Sequence, residues 1–191
     1  MVHSHKLTRH ICTRTLQTQL ECFKKRKGKV SCKENLSTDG IQIHKGFKFK
    51  LSKDKTADDK DNSSPSVVFN AWDLGGQEVF YPTHQFFLTS NSIYLVIFNL
   101  ANVGASRIDY WMRLIRNLSG NTTKAPIFLV GTHADDPGVT PEQIDDVLVY
   151  MNEHYPKYRF LGLCGISAVS CRTGLGVDAL RRQYVVDCRK S

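Results

Sequence analysis

Apolar positions along this chain fall into two kinds of pattern. Residues 41–51 (IQIHKGFKFKL) alternate apolar and polar, which predicts a half-buried strand near a sheet edge, with Phe47, Phe49 and Leu51 on one face. Residues 67–72 (VVFNAW) predict a second strand that ends at Asp73. Residues 93–98 (IYLVIF) and 126–131 (PIFLVG) are apolar without alternation, as parallel strands covered on both faces are. Between them, residues 107–118 carry Ile108, Trp111, Leu114, Ile115 and Leu118 at helical spacing. Thr140 followed by Pro141 predicts an N-cap and first turn of a helix running to about Asn152. A last strand within 159–169 and a helix from Gly176 to about Tyr184 complete the series. Near the front, Leu16, Leu20 and Phe23 predict a helix over 14–26. Residues 52–66 have almost no apolar content and predict a solvated, flexible loop or insertion. Residues 74–90 are a glycine-containing turn and a mixed aromatic stretch. Buried strands alternating with helices define an α/β fold with a mostly parallel sheet, whose ligands belong at the C-terminal strand ends.

Composition narrows the function classes. The 191 residues include 26 Lys and Arg against 18 Asp and Glu, a net charge of +8. Residues 1–60 hold 15 of the basic and 6 of the acidic side chains, so the rest of the chain is close to neutral. A uniformly basic nucleic-acid-binding fold is therefore disfavoured, and no specific nucleic-acid partner is expected. The stretch Lys24 to Lys29 reads first as a solvated helix end, with a membrane surface as its secondary use. No apolar run approaches the roughly 20 residues of a membrane span, and the N-terminus has no signal-peptide pattern. The six cysteines form no CxxC pair, which favours reduced thiols and a cytoplasmic location.

Three motifs sit where the strands end. In Asp73-Leu74-Gly75-Gly76-Gln77, a carboxylate can reach a magnesium-bound water. The backbone N–H of Gly76 can approach a terminal phosphate, and Gln77 can orient a water for in-line attack. A plain strand-to-turn junction is the competing explanation. In Gly131-Thr132-His133-Ala134-Asp135, the Asp135 carboxylate can take two N–H donors from a guanine edge. Thr132 replaces the usual amide, and His133 can pack beside the base; a polar βα-loop is the plainer alternative. In Ser170-Cys171-Arg172-Thr173-Gly174, backbone and hydroxyl groups can contact the base oxygen, and the Arg172 stem can cover the ring. The order and spacing of the three weigh more than any one. His84 and His133 are both expected in loops on this face, whereas Tyr81, Phe86, Phe87 and Tyr94 read as core or interface aromatics.

These motifs resemble a Roc domain, the Ras-like GTPase module of the Roco proteins, which include the leucine-rich-repeat kinases. The resemblance is carried by WDLGGQEVFYPTHQFFLTSNSIYLVIFNL (72–100), LVGTHAD (129–135) and VSCRTGLGVDAL (169–180). Leu36-Ser37-Thr38-Asp39-Gly40-Ile41 resembles the first switch, which would make Thr38 a ligand of magnesium and of the terminal phosphate. The resemblance implies a Ras-like fold over 14–187, with 1–13 outside it and 188–191 as a tail. It also implies GTP/GDP and Mg2+ as ligands, Gln77 as the catalytic residue, and Thr38 and Asp73 at the metal. A COR domain, leucine-rich repeats or a kinase would be the neighbours in a complete relative, with homodimerisation a further expectation.

One departure matters. The 191 residues contain no G-x-x-x-x-G-K-[ST], the loop that wraps phosphates in backbone N–H groups. The expectation is an N-terminally incomplete domain whose parent carries the first strand and the phosphate loop. Slow GTP hydrolysis is then expected only of that parent. The alternative is a nucleotide-free Ras-like module for interaction or dimerisation.

Overall fold

The computed structural model describes residues 40–50, 66–75, 77–88, 92–119, 125–155 and 163–188. The helix expected over 14–26, the loop at 52–65, Thr38 and Gly76 lie outside them. β1 (Ile41–Lys50) and β2 (Ser66–Leu74) pair as an antiparallel ribbon, with Ile41 opposite Leu74 and Lys50 opposite Ser66. The register slips by one residue between His44 and Phe47. Gly46 sits in that bulge at φ +74°, a left-handed conformation that glycine adopts without steric penalty. Its N–H donates to Asn70 Oδ1 at 3.1 Å. The simple alternation read over 41–51 is therefore interrupted, because a one-residue bulge reverses which face each later position takes.

β3 (Tyr94–Asn99), β4 (Ile127–Thr132) and β5 (Leu163–Ala168) form a parallel sheet in that spatial order. Every residue of β4 is buried, as its unbroken apolar run requires, while β5 is only half-buried and pairs on one side with β4. Among the described residues no ladder joins β2 to β3, so the strands stand as two sheets rather than the single one expected. A shared core nonetheless spans both parts. Leu74 at the end of β2 packs in one cluster with Tyr94, Val96, Phe98 and Leu129.

The crossover helices follow the sequence pattern, with changed boundaries. α1 (Tyr81–His84) is a single turn preceded by a 3-10 turn at Glu78–Phe80, so the stretch after Gln77 is more helical than expected. α2 (Ile108–Ser119) buries Ile108, Trp111, Met112 and Ile115. Met112 joins this stripe on the far side of Ile108, while Leu114 packs against the core only partly buried. Burying each of these large apolar side chains is worth about 1.5–3 kcal/mol. α3 (Pro141–His154) starts at a capping box: Thr140 Oγ1 accepts from Gln143 N–H at 3.3 Å, and Gln143 Oε1 accepts from Thr140 N–H at 2.9 Å. It continues to His154 rather than Asn152, and α4 (Val177–Cys188) likewise runs past Tyr184.

Candidate functional site

Two polar loops are built at the ends of β4 and β5. Val169 N–H donates to Gly131 O at 2.7 Å, and Ala134 N–H donates to Val169 O at 3.2 Å. These two bonds lock the loop after β4 to the loop after β5. A Cβ at Gly131 would lie 2.8 Å from Leu100 Cδ2, so a side chain there would force Leu100 to shift. The buried Thr132 hydroxyl donates to Phe98 O on β3 at 3.1 Å and lies 2.9 Å from His133 Nδ1. A hydroxyl has one proton, so with that proton on Phe98 O it accepts from His133, which places the imidazole proton on Nδ1. His133 itself has φ +62°, an uncommon value for a non-glycine residue.

Asp135 is the centre of this cluster. Arg172 Nε–H donates to Asp135 Oδ2 at 2.5 Å, and Arg172 Nη2–H donates to Asp135 O at 3.3 Å. The buried Ser170 also bonds the carboxylate, while its Oγ accepts from Thr173 N–H at 3.1 Å. The Ser170 hydroxyl foremost, and the Arg172 guanidinium after it, hold the Asp135 carboxyl below its usual range; partial burial opposes them. The turn that carries Cys171 and Arg172 is closed by Gly174 N–H donating to Ser170 O at 2.9 Å. Cys171 lies half-buried in that turn. Thr132, His133, Asp135, Ser170, Cys171 and Arg172 are thus assembled around two locked loops.

The strand-end carboxylate is built separately. Asp73 is wholly buried on β2, opposite Gln42. Gly75 N–H donates to Gly40 O at 2.7 Å, which binds the residue just after Leu36–Asp39 to the Asp73–Gln77 segment. Gln77 is exposed, and its carbonyl accepts from Phe80 N–H at 3.1 Å.

The family described as “Ras of Complex, Roc, domain of DAPkinase” matches residues 24–135. The chain belongs to the Roc family. This Roc domain is 38% identical over 159 residues to probable serine/threonine-protein kinase qkgA of Dictyostelium discoideum, covering 83% of this chain and 9% of that protein. The figures for probable serine/threonine-protein kinase roco11 of the same organism are 38% over 161 residues, 83% and 9%. Leucine-rich repeat serine/threonine-protein kinase 1 of Mus musculus is 27% identical over 128 residues, covering 65% of this chain and 6% of that one. The chain thus spans under a tenth of the length of these curated relatives. Among solved structures, Methanosarcina barkeri Roco2 RocCORdC bound to GDP matches with a TM-score of 0.61 at 22% identity, covering 100% of this chain and 52% of that chain. That likeness establishes the Ras-like fold of this Roc domain.

Sequence reasoning missed how the segment after Gln77 is held in this Roc domain. Glu78 pairs with Arg107, Tyr81 stacks on Tyr110 at 4.2 Å, and His84 stacks on Trp111 at 5.2 Å. Arg107 adopts φ +47° just before α2, and its carbonyl accepts from Tyr110 N–H at 3.1 Å. His84 is therefore wholly buried in a helix against α2, not in an active-face loop. The spacing of Glu78, Tyr81 and His84 is a helical signal, but nothing along the chain names Arg107, Tyr110 and Trp111 as its partners. Tyr94 is core and Phe87 packs against the core, as expected, whereas Phe86 is 76% exposed.

Proposed function

We propose that this Roc domain binds guanine nucleotides as the switch module of a Roco-type signalling protein. The observation that carries the reading is the Asp135 carboxylate, held between two locked loops with its pKa lowered further by the Ser170 hydroxyl. An ionised carboxylate in such a place suits the paired N–H donors of a guanine edge. Thr132 stiffens the loop through β3, His133 flanks the base, and Ser170 and Cys171 border it. The GDP in the Methanosarcina barkeri relative and the kinase names of the Dictyostelium relatives are in keeping with this role.

Magnesium suits the other end of the site. Asp73 supplies a hard oxygen at the C-terminal end of a strand, the donor type this ion prefers. Asp73 and Thr38 would hold the ion, which would neutralise charge on the phosphates. Gly76 would face the terminal phosphate and Gln77 would orient water. Without a G-x-x-x-x-G-K-[ST] segment, the 191 residues lack the backbone N–H cradle that such a loop offers to phosphate groups. Affinity is therefore expected to rest on the base, with hydrolysis by this chain negligible. A parent protein with the phosphate loop would hydrolyse GTP slowly and would carry COR, leucine-rich-repeat or kinase neighbours. Among the described residues no helix is long and apolar enough to cross a membrane.

The test is titration of the folded chain with labelled GDP, GTP and ADP in magnesium. Preference for guanine that disappears in Asp135→Ala supports the reading. Equal binding of all three rejects guanine recognition, and no binding rejects the reading and favours the nucleotide-free interaction module. The absent phosphate loop and the exposure of Val79 and Phe86 on the switch segment, 72% and 76%, are the observations that favour that second reading.

A further inference from the structure

Asp135 already receives from its own chain the type of donor it would take from a base. The Arg172 guanidinium reaches it through Nε–H to Oδ2 and Nη2–H to the backbone carbonyl. A guanidinium is a planar fork of N–H donors on one carbon. Guanine's pairing edge presents the same unit, a ring N–H and an amino group on a single carbon. Guanine's two donors would call on both carboxylate oxygens, and the guanidinium seated on Oδ2 stands in their approach. Resting on the guanine reading above, we infer that Arg172 is an internal competitor for the guanine position, occupying Asp135 until a base displaces it.

The geometry suits a side chain that leaves and returns. The Arg172 side chain is 65% exposed, so its departure sacrifices little packing, whereas the Asp135 side chain is only 18% exposed. The backbone under Arg172 is fixed, since Ser170 accepts from both Thr173 N–H and Gly174 N–H. Only the side chain needs to move. Tethered two residues from Ser170, the guanidinium stays at high local concentration and recaptures Asp135 as a base departs. Once displaced, the same stem is free to lie over the ring. Arg172 therefore weakens guanine binding through its head while its stem covers the base. The Ser170 hydroxyl stays beside the Asp135 carboxylate when Arg172 swings away.

Arg172→Met retains an apolar stem and removes the head. In calorimetric titration of the 191-residue chain with GDP, this variant is expected to bind about two- to fivefold more tightly than wild type, the scale of one partly exposed ion pair. The advantage should shrink in high salt, which screens the internal pair in wild type. Arg172→Lys, with the charge but no planar fork, should fall between them. Carbon-13 titration of the Asp135 carboxyl supplies a readout without nucleotide: its midpoint should rise in Arg172→Met and remain below the usual carboxylate range because Ser170 persists. Wild-type binding of GDP with no gain in Arg172→Met, or an Asp135 midpoint that does not move, overturns the competitor alone. Absence of any guanine preference in wild type and in both variants overturns the guanine reading, and the competitor with it.

Discussion

Replacing His84 with Leu should remove a loss of stability that the wild type suffers between pH 7.5 and 5.5. His84 is wholly buried on α1, and neither ring nitrogen has a hydrogen-bond partner among the described residues. Its neighbours are the Trp111 ring at 5.2 Å and the Tyr81 ring at 5.8 Å. Burial without a partner disfavours the imidazolium and pushes the His84 pKa below its ordinary value. In the unfolded chain the group titrates near 6.5. As pH falls through that value, the unfolded state binds a proton that the folded state refuses. Stability therefore declines with falling pH until the folded-state pKa is reached, at up to about 1.4 kcal/mol per pH unit. From pH 7.5 to 5.5 the loss has a ceiling of about 1.4 kcal/mol, or roughly 3–5 °C in Tm for a chain of this size.

At pH 7.5 the same substitution has a second, smaller consequence. Leu relieves about 1–3 kcal/mol of unsatisfied burial and forfeits about 0.5–1.5 kcal/mol of ring stacking. The variant should be neutral to modestly more stable there. Urea denaturation of both proteins at the two pH values isolates the His84 contribution, because the other six histidines are common to both. An identical pH dependence in the two chains would refute the reasoning, since it would mean that His84 titrates in the fold as it does in water.

Three further substitutions test the loops and the cap. Gly131→Ala should destabilise by about 1–3 kcal/mol in thermal melts, since its Cβ would meet Leu100 within 2.8 Å and overpack the junction of β3 and β4. Thr132→Val preserves volume but strips the hydroxyl from Phe98 O and His133 Nδ1; about 1–3 kcal/mol should be lost, with faster amide exchange at Ala134 and Val169. Thr140→Ala removes the cap of α3 and should cost about 1 kcal/mol in denaturant titration without altering guanine preference.

Much of the fold was legible along the chain because its signals are local. Apolar runs at 93–98 and 126–131 announce buried parallel strands, since a strand covered on both faces has no polar side to alternate with. The Thr140-Pro141 start of α3 is visible because a cap is made by residues three positions apart. Asp73 and Thr132 were equally visible as polar groups closing apolar strands, with Asp135 and Ser170 a few residues on in the adjoining loops. Tertiary structure alone decided which distant groups meet. The bulge at Gly46 depends on a hydrogen bond to Asn70, 24 residues away. The burial of His84 depends on Trp111, and the anchoring of Thr132 depends on a carbonyl of β3. Arg172 is the clearest case. Its stem could be assigned to the base loop from sequence, but the direction of its guanidinium follows from the carboxylate that the β4 loop brings within 2.5 Å. Periodicity and capping are encoded within one or two turns of chain, whereas the partner of a long polar side chain is chosen by the loop that folding carries to it.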